Sequence, residues 1–163
     1  MRVIKSGVTE TLMKTILCLI LLFSAGAASA QNVTQLAKEA TDLSVRGDYL
    51  QAREKFEQAI KLDSSNATLH QSLGLACQKL GLYQEAVKSL ETAVSLDYGL
   101  IQAHNSLALL YEAMALQQSG QSSAAEWRRK AHRQWSAAAS LEKDPAKLDM
   151  AKKHLARIES ELK

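Results

Sequence analysis

The chain has 163 residues, of which 47% are hydrophobic and 5% aromatic, with one proline and a net charge of +3. This length suits one domain with or without a targeting segment, and the composition favours helices over strands. Without residues 1–30, 17 basic residues face 16 acidic ones. A nearly neutral body gives no electrostatic argument for nucleic acid as a partner.

The first 30 residues have the order of a secretory signal peptide. Lys14 precedes an apolar run over residues 16–23, and small residues then lead to Ala28-Ser29-Ala30. A positive residue, an apolar core and an A-x-A site form the signal for export and cleavage. The apolar run is shorter than the roughly 20 residues that a spanning helix needs. We therefore expect a mature domain of residues 31–163, periplasmic or secreted, without stable membrane insertion after cleavage.

Several alternatives concern this segment and its cysteine. Met13 would make a more compact start, and an uncleaved anchor is the alternative to cleavage. Cys18 lies near the beginning of the apolar run, whereas a lipidated cysteine follows a small residue at its end, so lipidation is not predicted. Cleavage would leave Cys77 as the remaining cysteine, so no intrachain disulfide could form. Its position in an apolar stripe of a predicted helix favours burial.

The mature chain repeats itself at an offset of 34 residues. Residue types match at many positions, including Ala40/Gly74/Ala108, Gly47/Gly81, Tyr49/Tyr83, Ala52/Ala86, Phe56/Leu90 and Ala59/Ala93. Small residues such as Gly74 and Ala86 let two helices approach, and bulky residues fill the space beside them. Gly47 and Gly81 fall between the predicted helices, where a residue free to adopt positive φ can end the first helix. Each unit is therefore predicted to be a pair of helices.

This unit resembles the tetratricopeptide repeat, which has W-x₂-L-G-x₂-Y, then A-x₃-F, a small residue and a proline. The second unit carries the corresponding residues His70, Leu73-Gly74, Cys77, Ala86, Leu90 and Ala93. The resemblance covers nearly all of residues 33–145. Two features depart from the family pattern. Ser64 and Tyr98 replace the proline, and Glu39 replaces an apolar residue, as suits a terminal repeat with a solvent-facing side.

The resemblance implies an all-α, right-handed α-solenoid of three helix-turn-helix units plus a C-terminal capping helix. The units are predicted over residues 33–66, 67–100 and 101–145, and the cap over residues 145–162. The third unit has gained 11 residues, about three helical turns, because its second half matches at an offset of 45. Its turn is predicted at residues 119–122.

Three helix starts are predicted from capping residues. Asp48 with Gln51 and Ser123 with Glu126 have the spacing of a capping box. Asp144-Pro145 places an N-cap residue before a proline at the first helical position. The helix that follows has a single apolar stripe, formed by Leu148, Ala151, Leu155, Ile158 and Leu162.

In the family's architecture, the first helix of each pair lines a concave groove. By helical phase, the groove residues are Thr34, Lys38, Thr41, Ser44, Gln71, Ser72, Leu75, Gln78, Lys79, Gln102, Asn105, Ser106, Leu109 and Glu112. This surface is rich in amides and hydroxyls, with two leucines, which suits an extended peptide. The contacts are predicted at Gln71, Leu75, Gln78, Asn105 and Leu109. An ordinary solvated face is the alternative interpretation.

Some family members clamp a C-terminal carboxylate with Lys and Asn from this face. Ala37 and Thr41 occupy the corresponding early positions, so the clamp is not carried over. We expect a non-enzymatic scaffold that binds a protein or peptide through the groove.

A basic run, residues 128–133, lies on the elongated helix of the third unit. It is either a solvated face or a docking surface for an acidic partner or anionic lipid. The alternative function is therefore an accessory subunit of a cell-envelope assembly that docks through residues 123–142, with contacts at Arg129 and Arg133. Self-association through the chain ends is a third possibility.

No motif for catalysis or for a cofactor is found in the sequence. It has no G-x-S-x-G, no H-E-x-x-H and no glycine-rich phosphate loop. His70 and His104 occupy equivalent positions in successive units, about 10 Å apart in packed helices, and lack further ligands at useful spacing. They are predicted to be packing residues, and no metal is expected.

Overall fold

The computed structural model describes residues 30–117 and 120–163, and within these ranges all regular structure is α-helical. Seven helices follow one another there: α1 (30–46), α2 (Tyr49–Leu62), α3 (Ala67–Lys79), α4 (Tyr83–Leu96), α5 (Ile101–Gln117), α6 (Gln121–Leu141) and α7 (Pro145–Glu161). Helices α2 to α7 each pack against their neighbours in sequence. The protein is therefore an all-α helical repeat solenoid, as predicted. The predicted signal peptide lies outside the described residues, except for Ala30.

The turns within the first two pairs depend on glycines in the left-handed region. Gly47 has φ of +89° and Gly81 has φ of +76°. The Gly81 turn is closed by backbone bonds from Leu80 and Leu82 to the end of α3. A glycine adopts this conformation without the penalty that a Cβ atom brings. The prediction that these residues end the first helix of each pair is confirmed.

The core consists of two connected regions. The smaller one joins the first three helices through Ala40, Ala52, Phe56 and Ala59, all buried. The larger one extends from α3 to α7 around Leu107, Leu110 and the fully buried Trp135. Leu73 packs against both regions, so the apolar interior is continuous along the stack.

Glu39, which departs from the family pattern, links α1 to α2 through a salt bridge. Lys55 of α2 lies 2.7 Å from its carboxylate. Hydrogen bonds from Lys55 and then Gln35 hold the pKa of Glu39 below its usual range. A charged residue is therefore accommodated at the outer edge of the first pair.

The third unit is longer than the others, as the 11-residue insertion predicts. Helix α5 has 17 residues and α6 has 21, against 13 and 14 in the second pair. Tyr111 of α5 packs on Trp127 of α6 and donates a 2.5 Å hydrogen bond to Glu91 of α4. Burial, followed by this bond, raises the pKa of the Tyr111 phenol. The lengthened α6 therefore adds the Trp127 contact to a tyrosine that also links α5 to α4.

The predicted capping residues have different outcomes. Asp144 accepts hydrogen bonds from Ala146 and Lys147, and Pro145 is the first residue of α7, as predicted. Asp48 occupies the N-cap position of α2 but its side chain makes no capping bond. The capping box at Ser123 is wrong, because the N-cap of α6 lies three residues earlier, at Gly120, and the helix begins at Gln121.

The predicted turn in the third unit is partly helical. Residues 121 and 122 already belong to α6, and residue 119 lies outside the described residues. The capping helix has the predicted stripe, with Ala151 and Ile158 buried and the three leucines half-buried. None of the described helices is both long and apolar enough to cross a membrane.

Candidate functional site

A cavity of about 220 Å³ opens where the first two helix pairs meet. Its lining residues are Thr41, Ser44, Tyr49, Phe56, Ser72, Leu75, Ala76 and Lys79. Five of these eight belong to the predicted groove, namely the pair from α1 and Ser72, Leu75 and Lys79 from α3. The structure therefore brings together groove residues from two successive repeats.

Helical phase explains why these residues share one surface. Ser72, Leu75, Ala76 and Lys79 have the spacing i, i+3, i+4 and i+7, so they form one stripe along α3. Thr41 stands 34 residues before Leu75, which makes it the equivalent residue in the preceding unit. Neighbouring first helices therefore present equivalent faces to the same cavity.

The cavity combines an apolar wall with hydrogen-bond acceptors. The Thr41 and Ser44 hydroxyls donate to carbonyls of their own helix, at 2.8 and 2.9 Å. Because their protons are engaged, these oxygens can offer only lone pairs to a ligand. The half-buried Leu75 and Tyr49 supply apolar surface beside the buried Phe56, and the exposed Lys79 supplies a cation. The arrangement suits an apolar side chain flanked by backbone N–H groups.

The five predicted contact residues differ in exposure. Leu75 lines the cavity, and its equivalent Leu109 is 45% exposed on α5. Gln78 is half-buried, while Gln71 is only 8% exposed and has little surface to offer. Asn105, equivalent to Gln71, has a buried Oδ1 atom without a hydrogen-bond partner in the described part of the chain. Exposure therefore favours the two leucines as direct contacts.

Three cavity residues were not predicted in the groove: Ala76 of α3, and the aromatic pair Tyr49 and Phe56. Both aromatic residues belong to α2, the second helix of its pair, whereas the groove was predicted on the first helices. Tyr49 is the first residue of α2, directly after the α1–α2 turn. The sequence could have indicated Tyr49 as a cavity residue, because a residue directly after the α1–α2 turn has its ring beside the end of α1.

Glu112 was predicted in the groove but lies under α7. Its carboxylate accepts hydrogen bonds from the Trp135 indole at 2.6 Å, from His154 at 3.0 Å and from Arg157. His154 also stacks on Trp135, with ring centroids 4.3 Å apart. The Glu112 side chain is 12% exposed, so the capping helix removes it from the groove.

The two equivalent histidines each contact the loop before their own helix. The Nε2 atom of His70 lies 3.0 Å from the Ser64 carbonyl, and that of His104 lies 3.0 Å from the Tyr98 carbonyl. His104 is buried and also contacts Gln134 at 2.7 Å. Through these contacts, both histidines act as packing residues, as the sequence predicts. Within the described ranges, no group of three metal-ligating side chains comes together.

A second, open cavity of about 530 Å³ lies between α6 and α7. It contains both predicted docking residues, since its lining residues are Arg129, His132, Arg133, Glu159, Leu162 and Lys163. Two other members of the basic run, Arg128 and Lys130, are engaged elsewhere. Arg128 pairs with Glu161 at 2.7 Å, and Lys130 lies 4.3 Å from the centre of the Trp127 ring. The structure thus separates the basic run into two bound and two exposed cations.

Two family models match the helical repeats of this chain. A family model for the TPR repeat matches residues 45–81, and a tetratricopeptide repeat model matches residues 67–99. No functionally curated protein matches the chain.

Several solved structures share the fold. One is the type III secretion chaperone SycD of Yersinia enterocolitica in complex with a peptide of the translocator YopD; the TM-score is 0.68 at 17% identity, over 82% of this chain and 96% of that chain. Another is the Arabidopsis OM64 TPR domain, with TM-score 0.67 at 18% identity, over 79% and 98%. The second TPR domain of human RPAP3, in complex with an HSP70 peptide, has TM-score 0.65 at 19% identity, over 80% and 98%. At these identities, the likeness is one of fold.

Proposed function

Because the chain is a tetratricopeptide repeat protein, we propose that it is a non-enzymatic scaffold that binds a peptide or protein segment along its first helices. The observation that carries this proposal is the cavity formed by α1, α2 and α3. It joins predicted groove residues of two repeats around an apolar wall. Such a role needs no catalytic group. A groove that exists before binding lowers the entropic cost of ordering the protein on association.

The chemistry of the cavity defines the class of ligand. An extended segment would place one apolar side chain against Leu75 and Tyr49 and direct backbone N–H groups to the two hydroxyl oxygens of α1. Leu109 would receive a second apolar side chain one repeat further along the groove. Similar folds support this mode, because the Yersinia chaperone and the human domain were both solved with bound peptides.

The groove is tested with the variant Leu75→Ala/Asn105→Ala. A partner is first identified by cross-linking and mass spectrometry in the producing cells, and its binding to the purified protein is then titrated. Loss of a central apolar anchor and an amide should weaken binding about tenfold or more. Leu50→Ala is the matched control, since Leu50 is 57% exposed on α2 and does not line the cavity. Unchanged affinity in the double variant would show that the partner binds elsewhere.

We further propose that the protein is exported and acts in the periplasm or outside the cell. The signal-like order of residues 14–30 supports this proposal. Cell fractionation with N-terminal mass spectrometry tests it, and the expected first residue of the exported form is Gln31. Recovery of an intact N-terminus from the membrane fraction would instead indicate an anchor.

A further inference from the structure

We propose that the open cavity between α6 and α7 binds an acidic segment of a partner protein, at a site separate from the first-helix groove. The cavity is formed by residues of the elongated helix and the capping helix, and it shares no lining residue with the α1–α3 cavity. It gives the sequence-predicted docking contacts, Arg129 and Arg133, a defined geometry and a defined class of ligand.

The distribution of charge is the first argument. Arg128 and Lys130 have partners within the protein, in Glu161 and in the Trp127 ring. Arg129 and Arg133 are exposed, and neither forms a salt bridge with a carboxylate of the described residues. They stand one turn apart on the same helix face, where like charges repel each other. An anionic ligand would remove this repulsion and bridge both guanidinium groups.

The remaining lining residues define the ligand further. His132, between the two arginines in sequence, contacts Glu159 of α7 at 3.2 Å. This contact engages the carboxylate of the cavity wall within the protein itself. Lys163 adds a third cation and Leu162 an apolar surface. An arginine fork binds a carboxylate through two parallel hydrogen bonds, so the preferred ligand has carboxylates on both sides of an apolar side chain.

The shape and charge of the site favour a protein segment over a membrane. Surfaces that bind anionic lipid headgroups use clusters of about four to eight Lys and Arg residues. This cavity has three such residues in its lining, and one carboxylate shares its wall. The lining residues lie on α6 and at the C-terminal end of α7, and the open cavity of about 530 Å³ between them has room for the side chains of a peptide.

The test uses a defined probe, an acetylated and amidated peptide with one leucine between two pairs of glutamates. It is titrated into the isotope-labelled full chain while the arginine Nε–H signals are followed by nuclear magnetic resonance. We expect saturable shifts at Arg129 and Arg133. The variant Arg129→Glu/Arg133→Glu should weaken binding at least about tenfold, and added salt should weaken binding to the wild type.

The matched control is Lys61→Glu/Lys88→Glu, which makes the same change in net charge at two exposed positions of α2 and α4. Its affinity for the peptide should remain within about twofold of the wild type. Helix content from circular dichroism should be equal in both variants. Equal weakening by both variants would overturn the proposal, because the peptide would then respond only to total charge.

Two other outcomes would also overturn it. One is the absence of saturable binding. The other is arginine-dependent binding to phosphatidylserine vesicles without peptide binding, which would make the surface a lipid site. The groove variant Leu75→Ala/Asn105→Ala should bind the acidic peptide like the wild type, so failure of the groove proposal and failure of this one are distinguishable.

Discussion

At the scale of single residues, Gly74 lies where α3 and α4 come closest. A Cβ atom at this position would lie 2.7 Å from Cγ of Leu90 and 3.2 Å from the backbone oxygen of Ala86. Leu90 is fully buried and cannot easily move away. The spacing of the pair therefore depends on the absence of one methyl group.

The substitution Gly74→Ala should lower the free energy of unfolding by about 1–2 kcal/mol, because an overpacking cost of about 2–3 kcal/mol outweighs the roughly 1 kcal/mol gain in helix propensity. Chemical denaturation of the purified protein measures it. Gln84→Ala is the control, since this side chain is exposed in the first turn of α4. It should change stability by less than about 0.5 kcal/mol. A stabilised Gly74→Ala would contradict the packing argument.

At the scale of helices, capping bonds form where the N-cap backbone is extended. Asn66 and Asp144 have ψ of 98° and 119°, and both side chains accept bonds from the first turn. Asp48 has ψ of 58° and makes no such bond. The tight turn at Gly47 sets this angle, because Asp48 must also donate to the Leu43 carbonyl. Residue type alone therefore overestimates the capping of α2.

The cap at Asp144 gives a prediction at this scale. Asp144→Ala should destabilise the protein by about 1 kcal/mol, because two N–H groups of α7 lose their acceptor. Asp48→Ala removes the same side chain from an N-cap position without a capping bond, and should cost less than about 0.5 kcal/mol. Urea unfolding of both variants measures the difference. Equal losses would mean that the Asp144 bonds contribute little.

At the scale of the whole molecule, Glu112 connects three helices. Its carboxylate on α5 receives bonds from Trp135 of α6 and from His154 and Arg157 of α7. Burying a carboxylate is unfavourable unless it is paired and hydrogen-bonded, and here both conditions are met. The capping helix is thus held by a polar network as well as by its apolar stripe.

Glu112→Gln should weaken the docking of α7 by about 1–3 kcal/mol, since the amide carries no charge to pair with Arg157 and keeps only one of the two accepting oxygens. Hydrogen exchange should become faster in residues 145–161 and stay unchanged in α3. Glu126→Gln is the control, because that side chain is 70% exposed and pairs with Lys130 at 3.8 Å. Unchanged exchange in α7 would show that its apolar stripe suffices.

The sequence by itself determined the helical pairs, their order and the apolar stripe of α7. The glycines at positions 47 and 81 and the spacing of apolar residues are local requirements that can be read within one repeat. The 34-residue offset then shows that the same unit recurs along the chain. The same information predicted which faces of α1 and α3 would be adjacent, as the cavity at Thr41 and Leu75 shows.

The tertiary structure decided which face residues remain accessible. Gln71 and Glu112 have the phase of groove residues, yet one is buried and the other is covered by α7. It also divided the basic run, pairing Arg128 while leaving Arg129 and Arg133 exposed beside α7. The phase of a single helix does not contain this information, because it depends on how far and at what angle the next helix packs against it.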